Sequence, residues 1–154
     1  MKVLILYGTY SGSTLVVAEE IKKKISERFP NVTLKDVTQA SPSDLNNFDL
    51  IVLGSCTWER AADKKDGQLH VGFEEFVDKS KNMDLSGKKF LVFGLGDAEY
   101  LHFCRAADYL ASFVTTVKGD LLAEPLKLDR VYFNEHDAVM KTDEWVADAI
   151  KNIQ

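Results

Sequence analysis

The chain opens on an apolar run, Val3-Leu4-Ile5-Leu6-Tyr7-Gly8, followed at once by Thr9-Tyr10-Ser11-Gly12-Ser13-Thr14. The run is too short for a helix and rich in strand formers. It reads as a strand buried on both faces, which requires a parallel sheet covered on both sides. Beyond the loop, Leu15, Ala18, Ile21, Ile25 and Phe29 recur at helical spacing. The unit is therefore strand, hydroxyl-rich loop, helix. A helix N-terminus offers unpaired N–H groups and the positive end of the helix dipole. Gly12 permits close backbone approach and a positive φ. Thr9, Ser11, Ser13 and Thr14 add neutral donors, and the loop has no Lys or Arg. That chemistry suits a phosphate held by many hydrogen bonds instead of a countercharge. A simpler reading makes Ser13 or Thr14 the N-cap of the helix.

The pattern repeats along the chain. Pro30-Asn31 breaks the first helix, and Val32–Val37 follows as a shorter, more exposed strand suited to a sheet edge. Phe48–Gly54 is a second buried strand, ending in Ser55-Cys56-Thr57-Trp58. Residues 59–70 are charged and read as a long loop. Phe73, Phe76 and Val77 then mark a short helix. Lys88–Gly96 is a third buried strand, running into Asp97-Ala98-Glu99-Tyr100. A helix follows, with Phe103, Ala106, Ala107, Leu110, Phe113 and Val114 on its apolar side. Leu121–Leu128 is the last strand, and Pro125 inside it favours an edge. Trp145, Val146, Ala149, Ile150 and Ile153 form the stripe of a final helix.

Strand–helix alternation of this kind is the pattern of an open parallel sheet with helices on both faces. Ligands of such sheets bind beyond the carboxyl ends of the strands. The three loops at 9–14, 55–58 and 95–100 all follow buried strands and belong on that edge. One carries phosphate donors, and the other two each carry an aromatic residue, Trp58 and Tyr100. A flat aromatic ligand bearing a phosphate would use all three.

Composition narrows the function. At 154 residues, a single domain spanning 1–154 is expected. The net charge of −5 argues against a nucleic-acid binder. No apolar run reaches membrane-spanning length and no signal-peptide pattern opens the chain, so no membrane partner is expected. The two cysteines, Cys56 and Cys104, form no Cys-x-x-Cys. They imply a reducing compartment and a cytoplasmic location. His70, His102 and His136 show no metal spacing. Neither cysteine has partners that would make it a nucleophile. As the residue opening a helix, Cys104 is expected to have a lowered thiol pKa. A phosphoacceptor receiver domain shares the topology, but Thr9-Tyr10 and Ser55-Cys56 stand where its acidic residues belong.

With these motifs assembled, the chain resembles a short-chain flavodoxin over essentially its whole length. Thr9-Tyr10-Ser11-Gly12-Ser13-Thr14 is similar to that family's phosphate loop, with Ser13 where Asn is usual. Cys56-Thr57-Trp58 resembles the loop whose Trp covers the inner face of the flavin, and Gly94–Tyr100 the loop whose Tyr stacks on the outer face. The last strand runs on without the insertion of long-chain members. The resemblance implies a three-layer α/β fold. Its open parallel sheet has five strands in the order 2-1-3-4-5, with helices on both faces. It implies noncovalent FMN, bound by Thr9, Tyr10, Ser11, Gly12, Ser13, Thr14, Ser55, Cys56, Thr57, Trp58, Glu59, Leu95, Gly96, Asp97, Tyr100 and Cys104. The backbone of Leu95, Asp97 and Cys104 would meet the pyrimidine edge. It further implies a monomeric, low-potential carrier of single electrons between redox proteins, such as a reductase and ferredoxin-dependent enzymes. No catalytic acid, base or nucleophile is needed, since the chemistry is the cofactor's.

Two departures bear on that reading. Glu59 stands where many short-chain members have a glycine whose peptide turns over on one-electron uptake. A Cβ makes the positive-φ form of such a turn costlier, so the one-electron-reduced state should be less stabilised here. Arg60 either folds toward the flavin, favouring its reduced form, or belongs to a solvated loop with Lys64 and Lys65. His102 either couples its titration to the flavin or is an ordinary surface histidine. The competing function is an FMN-dependent oxidoreductase on the same fold, acting on a quinone or activating a protein-radical system. Such an enzyme needs an open flavin face, which Trp58 and Tyr100 are expected to cover.

Overall fold

A computed structural model describes residues 1–60, 65–99 and 102–154, with the backbone alone at 59, 60, 65 and 66. The apolar runs form the centre of a parallel sheet. They are β1 (Lys2–Gly8), β3 (Leu50–Cys56) and β6 (Lys89–Gly96). β2 (Asn31–Asp36) pairs with β1 at the edge foreseen for it, and the order is β2-β1-β3-β6. The fifth position is filled by two pieces, β7 (Asp120–Leu121) and β8 (Leu126–Asp129), both parallel to β6. The sheet thus has the expected flavodoxin-like order, with its last strand divided.

The continuous apolarity of the central strands has a direct cause. Alternate side chains of one strand enter two different cores. Val3 and Ile5 join one layer with Val17, Ile21 and Ile25 of α1 (Ser13–Ser26) and Val146 and Ile150 of α4 (Glu135–Ile150). Leu4 and Leu6 join the other, with Phe73 and Phe76 of α2 (Val71–Ser80) and Leu110 and Phe113 of α3 (Arg105–Thr116). On α1 the buried face runs through Val17, while Leu15 is only half-buried. α3 begins at Arg105, so Phe103 lies in the turn before it.

Two stretches differ from the sequence expectation. The strand expected over Leu121–Leu128 is interrupted, because two residues separate Phe90 from Phe93 on β6 while four separate their partners, Leu121 and Leu126. Pro125 sits in the extra length and has no N–H to donate. The last helix closes the gap, since Trp145 Nε1–H donates to Glu124 O at 2.9 Å. The long loop expected over 59–70 contains an antiparallel pair, β4 (Trp58–Arg60) and β5 (Lys65–Gln68). Trp58 pairs with Gln68 and Arg60 with Lys65, with a register shift between them. The charged residues of this segment show no apolar–polar alternation in sequence, so nothing in it marks a strand.

Candidate functional site

β1, β3 and β6 run in the same direction, so their following loops meet at one edge of the sheet. The loop after β1 is shaped by its own residues. Thr9 Oγ1 accepts the Gly12 N–H at 2.8 Å, and Gly12 turns at φ 96°, ψ −12° as the N-cap of α1. A Cβ at Gly12 would meet nothing within 4 Å. The position therefore demands glycine for its φ and not for room. No side chain caps α1, so neither Ser13 nor Thr14 serves as the N-cap. Thr14 is 1% exposed, and its Oγ1 is buried without a protein partner. A buried hydroxyl left unpaired is costly and rare. Here it sits in the first turn of a helix whose opening N–H groups also lack intrahelical acceptors. That is a donor set for an anion.

The loop after β3 uses the same residue types differently. Ser55 is fully buried; its Oγ accepts the His70 N–H at 3.0 Å and donates to Cys56 O at 2.8 Å. Thr57 N–H donates to Leu95 O at 2.9 Å, and Thr57 Oγ1 accepts the Ala106 N–H at 3.2 Å. Thr57 thereby caps α3, whose own N-cap residue, Cys104, makes no side-chain cap. Ser55 and Thr57 brace the loop, and their hydroxyls are engaged within the protein. Burial pushes the Cys56 thiol up to about 11, against a hydrogen bond from the Tyr10 backbone.

Trp58 and Tyr10 are nearly half exposed, 45% and 47%, and lean together with centroids 4.9 Å apart at 52°. Tyr10 in turn lies 4.2 Å from the His70 ring, and its OH accepts the Val71 N–H at 3.0 Å. His70 is buried at the N-terminus of α2, where its Nδ1 accepts the Gly72 N–H at 3.0 Å. The row Trp58–Tyr10–His70 joins the first two loops to α2. Desolvation lowers the His70 pKa, with Asp36, a backbone bond to Thr9 and Glu74 opposing it. In the sequence, His70 shows only that it lacks metal spacing. Histidine is an unusual cap, so nothing near it signalled the role, and Tyr10 comes from a distant part of the chain.

The loop after β6 is held from the far side. Ala98 N–H donates to Asp129 Oδ1 at 2.8 Å, Arg130 N–H to Gly96 O at 2.8 Å, and Glu99 N–H to Asp97 Oδ1 at 2.9 Å. Asp129 and Arg130 follow β8 and carried no sequence signal. Leu95 is buried, and a Cβ at Gly96 would come within 2.7 Å of Cys104 N. Cys104 takes the left-handed conformation at φ 49°, fully buried, with its Sγ 3.5 Å from Gly94 O and 3.4 Å from Leu128 O. Its thiol is pushed up to about 12, opposite to the lowering expected of a helix start. Burial outweighs the dipole here. Neither thiol is a nucleophile at neutral pH.

Tyr100 and the side chains of Glu59 and Arg60 lie outside the described residues; the Glu59 backbone is the middle of β4. His102 packs on the ribbon beside Gly67, with Nδ1 3.2 Å from Arg105. No cluster that could hold a metal ion occurs among the described residues. The edge offers unengaged hydroxyls and helix-start donors at one end and exposed aromatic rings beside them. These fit the phosphate and the planar ring of FMN.

Comparison with known proteins agrees. The family model for flavodoxin matches residues 5–143. A flavodoxin of Maridesulfovibrio salexigens is 33% identical over 150 residues, covering 97% of this chain and 99% of the relative. A probable flavodoxin 2 of Bacillus subtilis is 31% identical over 129 residues, covering 83% and 82%. The crystal structure of oxidised Flavodoxin 2 from Bacillus cereus superposes with a TM-score of 0.89 at 31% identity, covering 99% of this chain and all of that one. A Fusobacterium nucleatum flavodoxin solved with flavin mononucleotide shares the fold, with a TM-score of 0.84 at 19% identity, covering all of both chains.

Proposed function

Because this chain belongs to the flavodoxin family, we propose that it carries single electrons between redox proteins on a noncovalently bound FMN. It is an electron-transfer protein, and its own side chains perform no substrate chemistry. The whole chain, 1–154, serves as one FMN-binding domain. The observation that carries the reading is the loop after β1, where the Thr14 hydroxyl is buried with no protein partner at the start of α1.

The residues divide the work. Thr9 and Gly12 set the loop's shape, and Ser11, Ser13 and Thr14 present hydroxyls to the FMN phosphate. Trp58 and Tyr100 cover the faces of the ring, and the backbone of Leu95, Asp97 and Cys104 meets its pyrimidine edge. Ser55 and Thr57 hold their loop in place, and Glu59 follows the Trp on β4. When bound, FMN supplies the one-electron chemistry, and the chain orients it and shields it from water. An apolar, cation-poor site disfavours a more negatively charged cofactor, which keeps the potential low. The donor and acceptor are redox proteins such as a reductase and ferredoxin-dependent enzymes. The carrier acts as a monomer in the cytoplasm. Among the described residues no helix is long and apolar enough to cross a membrane.

The test is purification, a visible spectrum, and anaerobic titration with a one-electron reductant. A yellow protein with one FMN per chain that takes up electrons singly is expected. A colourless protein that takes up no FMN would overturn the reading. A protein reduced only in electron pairs, with quinone turnover, would replace it with the oxidoreductase.

A further inference from the structure

Between β8 and α4 the chain turns through Arg130–Asn134 at the same sheet edge as the three site loops. Tyr132 and Phe133 are each 80% exposed there, packed edge to face with centroids 5.4 Å apart. A lone exposed apolar residue means little, but two adjacent aromatic rings stacked in solvent beside a functional edge need a reason. The turn is built to hold them. Arg130 adopts φ 43°, a left-handed conformation rare outside glycine, and Val131 is buried in the core below. Arg130 O accepts the N–H groups of Phe133 at 2.9 Å and Asn134 at 3.1 Å. Val131 thus anchors the turn, and the two rings stand outward on rigid backbone, so little ordering is left for a partner to impose.

The turn is also fastened to the loop after β6. Arg130 N–H holds Gly96 O, Asp129 holds the Ala98 N–H, and the Arg130 guanidinium lies 3.5 Å from Glu99 and 4.0 Å from Asp97. Five carboxylates, Asp97, Glu99, Asp129, Glu135 and Asp137, flank the turn against two cations, Arg130 and Lys141, for a net charge of −3. The surroundings are acidic and the centre is aromatic.

We propose that Tyr132 and Phe133 are the apolar anchor of the electron-transfer interface, docking a redox protein whose contact face is an apolar patch ringed by lysine or arginine. The proposal rests on the electron-carrier reading. Charge brings the partner in, and the two rings hold it in register against the loop after β6. Aromatic residues preset in a rigid turn are the kind that dominate interface energetics. Rim charges act on encounter and lose their effect with salt.

The test uses the FMN-loaded, reduced protein and a basic c-type cytochrome as acceptor, with reduction followed by stopped flow at low and high ionic strength. In the double variant Y132A/F133A the half-saturating concentration should rise about ten-fold at both salt levels, with an unchanged salt slope. FMN affinity and the visible spectrum should match wild type, because neither ring supports the core. Unchanged half-saturation would overturn the anchor. So would a loss confined to low salt, which would assign docking to charge alone. A concentration-dependent dimer by sedimentation that the variant abolishes would overturn it in favour of self-association. A wild-type protein that takes up no FMN would instead remove the electron-carrier reading on which the proposal rests.

Discussion

In the loop after β3, the Ser55 hydroxyl holds the His70 N–H and Cys56 O, and the Thr57 hydroxyl caps α3. In the loop after β1, Thr9 takes the Gly12 N–H and the Tyr10 OH takes the Val71 N–H, while Thr14 buries an oxygen that no protein group meets. Both loops leave buried strands at one edge, and both are rich in Ser and Thr. They differ in what packs behind them. The loop after β3 lies under the N-termini of α2 and α3, where Ser55 takes the N–H of His70, the N-cap residue of α2, and Thr57 takes the Ala106 N–H in the first turn of α3. The loop after β1 leads into its own helix, α1, which Gly12 opens without a side-chain cap. The Thr14 hydroxyl in its first turn stays unengaged. The lesson is that a hydroxyl marks a ligand site where no nearby helix start claims it.

Substitution of the two loops should separate binding from stability. The largest effect is expected for Thr14→Val, which keeps shape and removes the orphaned hydroxyl. A hydrogen bond to a charged group contributes about 1.5–3 kcal/mol, so FMN affinity should fall about 10- to 100-fold by fluorescence titration. The urea midpoint of the apoprotein should not fall, since no protein bond is lost. A destabilised apoprotein with normal FMN affinity would erase the contrast.

Ser55→Ala should do the reverse. It strands the His70 N–H in a buried site and should lower apoprotein stability by about 2 kcal/mol in urea unfolding. FMN affinity should change much less than in Thr14→Val. Thr57→Val removes the cap that α3 borrows from a neighbouring loop, at a cost of about 1 kcal/mol. Unfolding by circular dichroism would show it, and an unchanged midpoint would mean that the Ala106 N–H finds another acceptor.

The smallest effect concerns His70, and its sign follows from burial. Its folded pKa lies below the ordinary 6.5, so the unfolded chain binds the extra proton first as pH falls. The stability it contributes is complete above about 6.5 and is lost as pH drops toward and through the folded pKa. Protonation also removes the lone pair that accepts the Gly72 N–H. His70→Asn keeps an acceptor at the cap and does not titrate. Its urea midpoint should therefore vary less between pH 7.5 and 5.5 than that of wild type. Equal pH dependence in the two proteins would deny His70 this role.

Much of the architecture could be read from residue order. Val3–Tyr7, Phe48–Gly54 and Lys88–Gly96 announce central strands because a strand covered on both faces has no polar positions to hide it. The helical stripes beneath Ile21, Leu110 and Val146 follow for the same reason. The ribbon of β4 and β5 was hidden, because its partner lies in a charged segment and neither strand alternates. The break between β7 and β8 was half visible in Pro125. Its closure by Trp145 was not, because that bond joins residues 21 apart in sequence.

The sequence by itself determined the layered sheet, the edge where its loops gather and the residue types placed there, since these depend on local period and strand order. Only the tertiary structure decided what each of those residues does. It engaged Ser55 and Thr57 within the protein and left the Thr14 hydroxyl unmatched. It raised the Cys104 thiol where a helix start alone would lower it, drew His70 under Tyr10, and set Tyr132 and Phe133 outward on a turn pinned by Val131 and strained at Arg130. The physical reason is common to all of them. Hydrogen-bond satisfaction, desolvation and ring packing are settled between groups that meet only after folding, and no window of sequence contains both partners.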